Sequence, residues 1–179
     1  MPATELWLLL AGCVACVTAV WAAARVVRMR SVMVDPWMPE ALKAHTLAYS
    51  ERTFRSGGDR QLVARVDRAY RARNGLIVLV ELKTRKADRA HLSDIIELSA
   101  QRVALESETG ESVAPVAWVV VESAAGRSAH SVRLLSPHAI WDLASRREAL
   151  LAGTESPHYP GKRRVCASCI YRARCSKNS

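Results

Sequence analysis

Asp67, Glu81 and Lys83 are the residues of this chain best suited by type and spacing to do chemistry. Glu81 and Lys83 are two apart, so in a strand both side chains point to one face of the sheet. Asp67 stands fourteen residues before Glu81. Two carboxylates and an ammonium on one face, at the end of an apolar strand, are costly to bury without a partner. A divalent cation resolves that cost. Carboxylate oxygens hold Mg²⁺ or Mn²⁺, and waters and phosphate oxygens complete the shell. Such an ion polarises a phosphate and lowers the pKa of its water. Lys83 could position that water and offset charge growing on the phosphate. Glu-x-Lys alone is common and reads equally as a surface ion pair. The near-continuous apolar run before Glu81, and an Asp on the strand before that, set this instance apart.

The elements that must position these residues are legible as pattern. Residues 61–70 and 76–83 read as strands, and Asn74-Gly75 between them signals a hairpin, since both tolerate positive φ. The second strand, LIVLVELK, should lie in the sheet centre, buried on both faces. Residues 31–40 read as a linker with prolines at 36 and 39, and residues 41–55 as a helix with Leu42, Leu47, Ala48 and Phe54 on its apolar side. Residues 88–106 predict a long helix packed through Leu92, Ile95, Ile96, Ser99 and Val103. Residues 114–121 predict a buried strand and 130–135 a more polar one. Ser136-Pro137 then caps a helix that runs to about Ala152 and stops at Gly153. The order is helix, two antiparallel strands, helix, strand, strand, helix: an α/β class with a mixed central sheet flanked by helices.

The chain has 179 residues and a formal net charge of +9. Only Glu5 is charged among the first 24 residues, so the remainder carries +10. A domain this basic meets acidic partners, either nucleic acid or an anionic membrane surface. Residues 6–24 (LWLLLAGCVACVTAVWAAA) are uncharged. As a helix they span roughly 28 Å, close to a bilayer core. Trp7 and Trp21 lie near the ends, and Arg25, Arg28 and Arg30 follow, which orients the rest toward the cytoplasm. A cleaved signal peptide is the competing reading, but no Lys or Arg precedes the apolar stretch. The expected organisation is a transmembrane anchor over 1–30, a linker over 31–40, a domain over 41–161 and a basic, Cys-containing tail over 162–179. The location this implies is the inner (cytoplasmic) membrane, single-pass, with the C-terminal domain in the cytoplasm.

Residues 64–85, ARVDRAYRARNGLIVLVELKTR, resemble the core of the PD-(D/E)XK nuclease superfamily, and look closest to its RecB-like branch with the CRISPR-associated exonucleases. That branch shows G-x-x-D and then an apolar strand ending in E-x-K-T. Here the elements are Ala64-Arg65-Val66-Asp67, with Ala for Gly, and Glu81-Leu82-Lys83-Thr84. The resemblance implies a restriction-endonuclease-like fold and a metal-dependent deoxyribonuclease acting on DNA, exonuclease-like within this branch. It implies Asp67, Glu81 and the Leu82 backbone carbonyl as metal ligands, with Lys83 as the catalytic lysine. The branch carries Gln-x-x-x-Tyr on the following helix to contact DNA. Gln101 falls there, with Leu105 in the fifth position. Arg85 is the other substrate-binding candidate. The first helix of such folds adds an acidic or histidine ligand, and Glu51 is the first candidate, His45 the second. A catalytically inactive DNA-binding scaffold of the same fold is the alternative, motivated by Ala64 and Leu105.

Cys166, Cys169 and Cys175 form a C-x2-C-x5-C group among arginines. Clustered thiols facing a cytosol argue for metal rather than disulfides. The branch often ends in such a triplet, joined by an upstream Cys, around a [4Fe–4S] cluster. The other two cysteines here, Cys13 and Cys16, fall in the apolar N-terminal stretch. A cluster would need a further ligand, with His158 and His45 as candidates, or a partner chain. Zn²⁺ on Cys3His is the rival reading, and free structural cysteines the third.

Overall fold

The computed structural model describes residues 38–158 and 163–175. The apolar stretch expected to cross a membrane lies outside the described residues. Among the described residues, no helix is long and apolar enough to cross a membrane.

The chain divides into two units, Met1–Leu134 and Leu135–Ser179. The first holds a five-stranded mixed sheet in the order β1-β2-β3-β4-β5. Its strands are β1 (Thr46–Arg55), β2 (Val63–Arg71), β3 (Ile77–Thr84), β4 (Val116–Ser123) and β5 (Gly126–Arg133). Helix α1 (Leu92–Thr109) joins β3 to β4. These two strands pair in parallel, Val80↔Trp118 through Thr84↔Glu122, and parallel pairing requires such a crossover. The other neighbours are antiparallel.

Strand β3 occupies the sheet centre because its sequence suits nothing else: Ile77, Val78, Leu79, Val80 and Glu81 are all buried. Ile77 and Leu79 face the larger core, with Phe54, Leu98, Leu105, Val119 and Val121. Val78 and Val80 face a smaller cluster with Met38, Leu42, Tyr70 and Val120. The β2–β3 connection is the expected hairpin, but only Gly75 takes a positive φ, of 85°. Asn74 instead uses its side chain, whose Oδ1 accepts from the Leu76 N–H at 3.2 Å. The Gly75 N–H reaches the Ala72 carbonyl at 2.9 Å, closing a three-residue loop.

Residues 41–55 are not the expected helix. A 3-10 turn, Glu40–Leu42, leads into β1. Thr46, Tyr49, Thr53 and Phe54 favour strands. The supposed apolar side does not exist as one: Leu47 is 52% exposed, while Phe54 is fully buried. Pairing also covers the outer edge of β2, which would otherwise present bare N–H and C=O groups.

Helix α1 starts four residues later than expected and ends three later. Ser99 and Val103 are buried and Ile95 packs against the core, as expected, but Leu92 is exposed, and Asp94, Leu98, Gln101 and Leu105 are buried as well. The start of the helix is anchored by Asp94, gripped by Arg85, rather than by Leu92. The polar strand expected over 130–135 begins earlier, at Gly126, because β5 pairs along the whole of β4.

In the second unit, α2 (Pro137–Leu151) starts as its sequence requires. The Ser136 Oγ accepts from the Ala139 N–H at 3.2 Å, and Gly153 follows the helix with φ 72°. A five-residue helix, α3 (Arg163–Ala167), and a 3-10 turn, Arg172–Arg174, complete it.

Candidate active site

The β2–β3 ladder runs from Arg71↔Ile77 to Arg68↔Val80. Beyond that step, the Leu82 N–H donates to the Asp67 Oδ2 at 2.9 Å. A side chain thus replaces the backbone partner where the hairpin strands part, and it fixes the Asp67 carboxylate beside the end of β3.

Glu81 is 3% exposed at the end of the apolar run. Its Oε1 lies 2.7 Å from the Lys83 Nζ. Its Oε2 accepts from the Gln101 Nε2 of α1 at 2.6 Å. The Lys83 Nζ also lies 2.8 Å from the Glu97 Oε2. Burial pushes the Glu81 carboxyl up to about 7; its bonds to Lys83 and Gln101 pull the other way, while the charges of Asp67 and Glu97 add to the rise. For Lys83, burial alone would lower the pKa, but bonds to Glu81 and Glu97 outweigh it and hold the ammonium above its ordinary value.

Asp67, Glu81, Lys83 and Gln101 therefore converge. The chemistry of Asp67 and Glu81 suits a hard divalent cation, since the Glu81 charge is buried and opposed by the carboxylates of Asp67 and Glu97, although among the described residues no three Cys, His, Asp or Glu side chains are grouped to hold a metal ion. Gln101 is 1% exposed and its Oε1 lacks a protein partner, which leaves one further buried acceptor beside Glu81. At the C-terminal ends of β3 and β4 a cleft of about 140 Å³ opens, lined by Arg68, Lys83, Thr84 and Arg127 among others.

Other candidates are placed differently. Glu51 lies on a strand, not on a helix. The flanking pairs Ser50↔Arg68 and Arg52↔Val66 put it opposite Asp67 in register, but its φ is 51° and its exposed carboxylate pairs with Arg65. Such a backbone in a non-glycine residue costs roughly 1–3 kcal/mol. The Arg85 guanidinium grips Asp94 with two bonds, of 3.1 and 2.7 Å, and also donates to the Arg89 carbonyl at 2.6 Å. The same Asp94 accepts from the His91 N–H at 2.7 Å. Arg85 thereby fixes the start of α1. His45 sits just before β1, with a buried Nδ1 that has no protein partner.

Sequence reasoning missed Glu97. The signal was present: it stands four residues before Gln101, on the same helix face. It also missed the link from the β3–α1 loop to β5, where Asp88 meets His130 at 2.8 Å and also Ser128.

In the second unit, Cys166, Cys169 and Cys175 are free thiols on successive turns. His158 bonds instead to Arg146, at 2.6 Å. The three thiols are not grouped with one another or with a described His, Asp or Glu as a metal site.

A family model described as the PD-(D/E)XK nuclease superfamily matches residues 5–176. No curated protein matches. Among solved structures, the crystal structure of SSO0001 is similar over 98% of this chain and 79% of its own, at 18% identity and a TM-score of 0.48, a likeness too slight to carry an inference.

The raised Glu81 pKa has a consequence for stability. Between its ordinary value of 4.5 and about 7, the folded chain holds a proton that the unfolded chain has released. Stability of the metal-free protein should fall as pH rises through that window and then level off. Glu81→Gln should flatten this dependence and stabilise the chain at pH 8 by on the order of 2 kcal/mol. Denaturant melts in chelator at both ends of the window measure it, and an unchanged pH slope in the variant would refute it.

Proposed function

The chain belongs to the PD-(D/E)XK nuclease superfamily, and on that premise we propose that it is a metal-dependent deoxyribonuclease hydrolysing phosphodiester bonds at Asp67, Glu81 and Lys83. The observation that carries this reading is the Glu81 carboxylate, 3% exposed and clamped between Lys83 and Gln101 beside Asp67. A purely structural core would place an apolar residue there, as β3 does at its four preceding positions. Asp67, Glu81 and the Leu82 carbonyl would hold Mg²⁺ or Mn²⁺. When bound, the ion supplies Lewis acidity to the phosphodiester and activates water. Lys83 keeps its proton and offers an ammonium donor to the phosphate. Gln101 holds Glu81 in orientation. This shifts its role from touching DNA, as the resemblance implied, toward supporting the site. Arg68 and Arg127 line the adjoining cleft together with Glu122, and Arg127 would meet a polyanionic strand only by releasing Glu122, which it pairs with at 3.1 Å. Arg85 reaches substrate only if it releases Asp94. Glu51 would join the metal only by leaving Arg65.

The RecB-like motif pattern favours an exonuclease-like mode. The uncharged stretch 6–24 with its basic flank supports an anchor in the inner (cytoplasmic) membrane, with the catalytic domain on the cytoplasmic side. The cysteine triplet supports a secondary reading as ligands of a [4Fe–4S] cluster or Zn²⁺, given a further ligand from elsewhere. Iron and zinc analysis of the purified full chain, with membrane fractionation, tests both. A metal-free, wholly soluble chain would reject them together.

The activity test uses the full chain in mild detergent with labelled single- and double-stranded DNA. We expect cutting that needs Mg²⁺ or Mn²⁺ and falls at least about 100-fold in Asp67→Asn, Glu81→Gln and Lys83→Ala. Wild type cutting no better than Lys83→Ala would reject the enzyme reading and favour the inactive DNA-binding scaffold.

A further inference from the structure

Helix α1 meets strand β3 in a matched pair of contacts. On β3, Glu81 and Lys83 are two residues apart and share a face, roughly 7 Å from one another. On α1, Gln101 and Glu97 are four apart and share a face, roughly 6 Å apart. The two spacings coincide: Gln101 meets Glu81 at 2.6 Å, and Glu97 meets Lys83 at 2.8 Å. Gln101 and Glu97 thus grip the two ends of the Glu-x-Lys unit from the layer above.

From this we infer that Glu97 is a positioning residue for Lys83, the fixed partner that keeps its ammonium at the site when Glu81 serves a cation. The inference rests on the proposed metal-dependent reaction. Lys83 has four flexible side-chain torsions and two carboxylate contacts. One contact is Glu81 itself. A carboxylate that turns its oxygens to a cation loosens its hold on the ammonium. Glu97, on the helix and outside the donor set, holds the other side.

Glu97 is about half exposed, and exposed ion pairs add little to stability. Its removal should therefore leave the fold alone and act on placement. A misplacement of a catalytic group by about 1 Å can cost on the order of 100-fold in rate.

The test compares the full chain with Glu97→Gln and Glu97→Ala. Glu108→Gln, also on α1, which weakens exposed contacts with the Arg52 guanidinium and the Arg55 N–H of β1, is the control. We expect both Glu97 variants to lose about tenfold or more in kcat, with KM for DNA and Tm unchanged, and the control to match wild type. The second readout needs no turnover: it is taken without DNA and in Mg²⁺, the condition in which Glu81 would serve the cation. In the ¹⁵N spectrum of lysine ammonium groups, the Lys83 signal, assigned by its loss in Lys83→Arg, should be sharp in wild type and broadened by solvent exchange in Glu97→Gln. A Glu97→Gln kcat within twofold of wild type, or an unaltered Lys83 signal, would overturn the inference. An inactive wild type with the expected spectral change would sink the nuclease reading and leave the contact itself established.

Discussion

Glu81 is a carboxylate in a place built for an aliphatic side chain. The four residues before it on β3 are buried, its neighbour across the parallel pairing is Val119, and its own exposure is 3%. Water is excluded, so the charge must be met by the protein or by an ion. Lys83 and Gln101 meet part of it, but Asp67 and Glu97 add charge of the same sign, and the carboxyl rises to about 7. The remaining imbalance is what a divalent cation would relieve. Most of the surrounding polar structure follows from keeping this one group in place.

The layer above β3 is organised around that demand. Helix α1 must arrive with its Glu97–Gln101 edge over Glu81 and Lys83, and three contacts set its position. Leu98 and Leu105 sink into the main core. Asp94, gripped by Arg85, fixes the first turn. The Asp88–His130 contact ties the incoming loop to β5. Each partner lies within a few residues of the helix or on a strand already locked in the sheet. The site therefore needs no long loop, and its geometry is only as loose as the packing of one helix on one sheet.

The central hairpin was readable because its signals are local. An apolar run, Gly75 and the i, i+2 spacing of Glu81 and Lys83 all act within a few residues. The start and stop of α2 were readable for the same reason, through Ser136, Pro137 and Gly153. Residues 41–55 were not, since their scattered apolar residues mimic a helix face, and only the need to cover the edge of β2 makes them a strand. The start of α1 was hidden because its anchor is Asp94, a charged residue that a hydrophobic pattern assigns to solvent. Glu97 was hidden likewise: an exposed glutamate acquires meaning only once Lys83 is known to lie beneath it. What stayed invisible in each case is a polar contact between segments distant in sequence.

The central claim is that Asp67 and Glu81 form one cation site, and calorimetric titration of Mn²⁺ into the metal-free full chain tests it most directly. Wild type should show a defined binding event that is weakened at least about tenfold in both Asp67→Asn and Glu81→Gln, since each removes an anionic oxygen donor. Lys83→Ala, which leaves both carboxylates, should still bind. Equal Mn²⁺ binding by wild type and the two carboxylate variants would contradict the account.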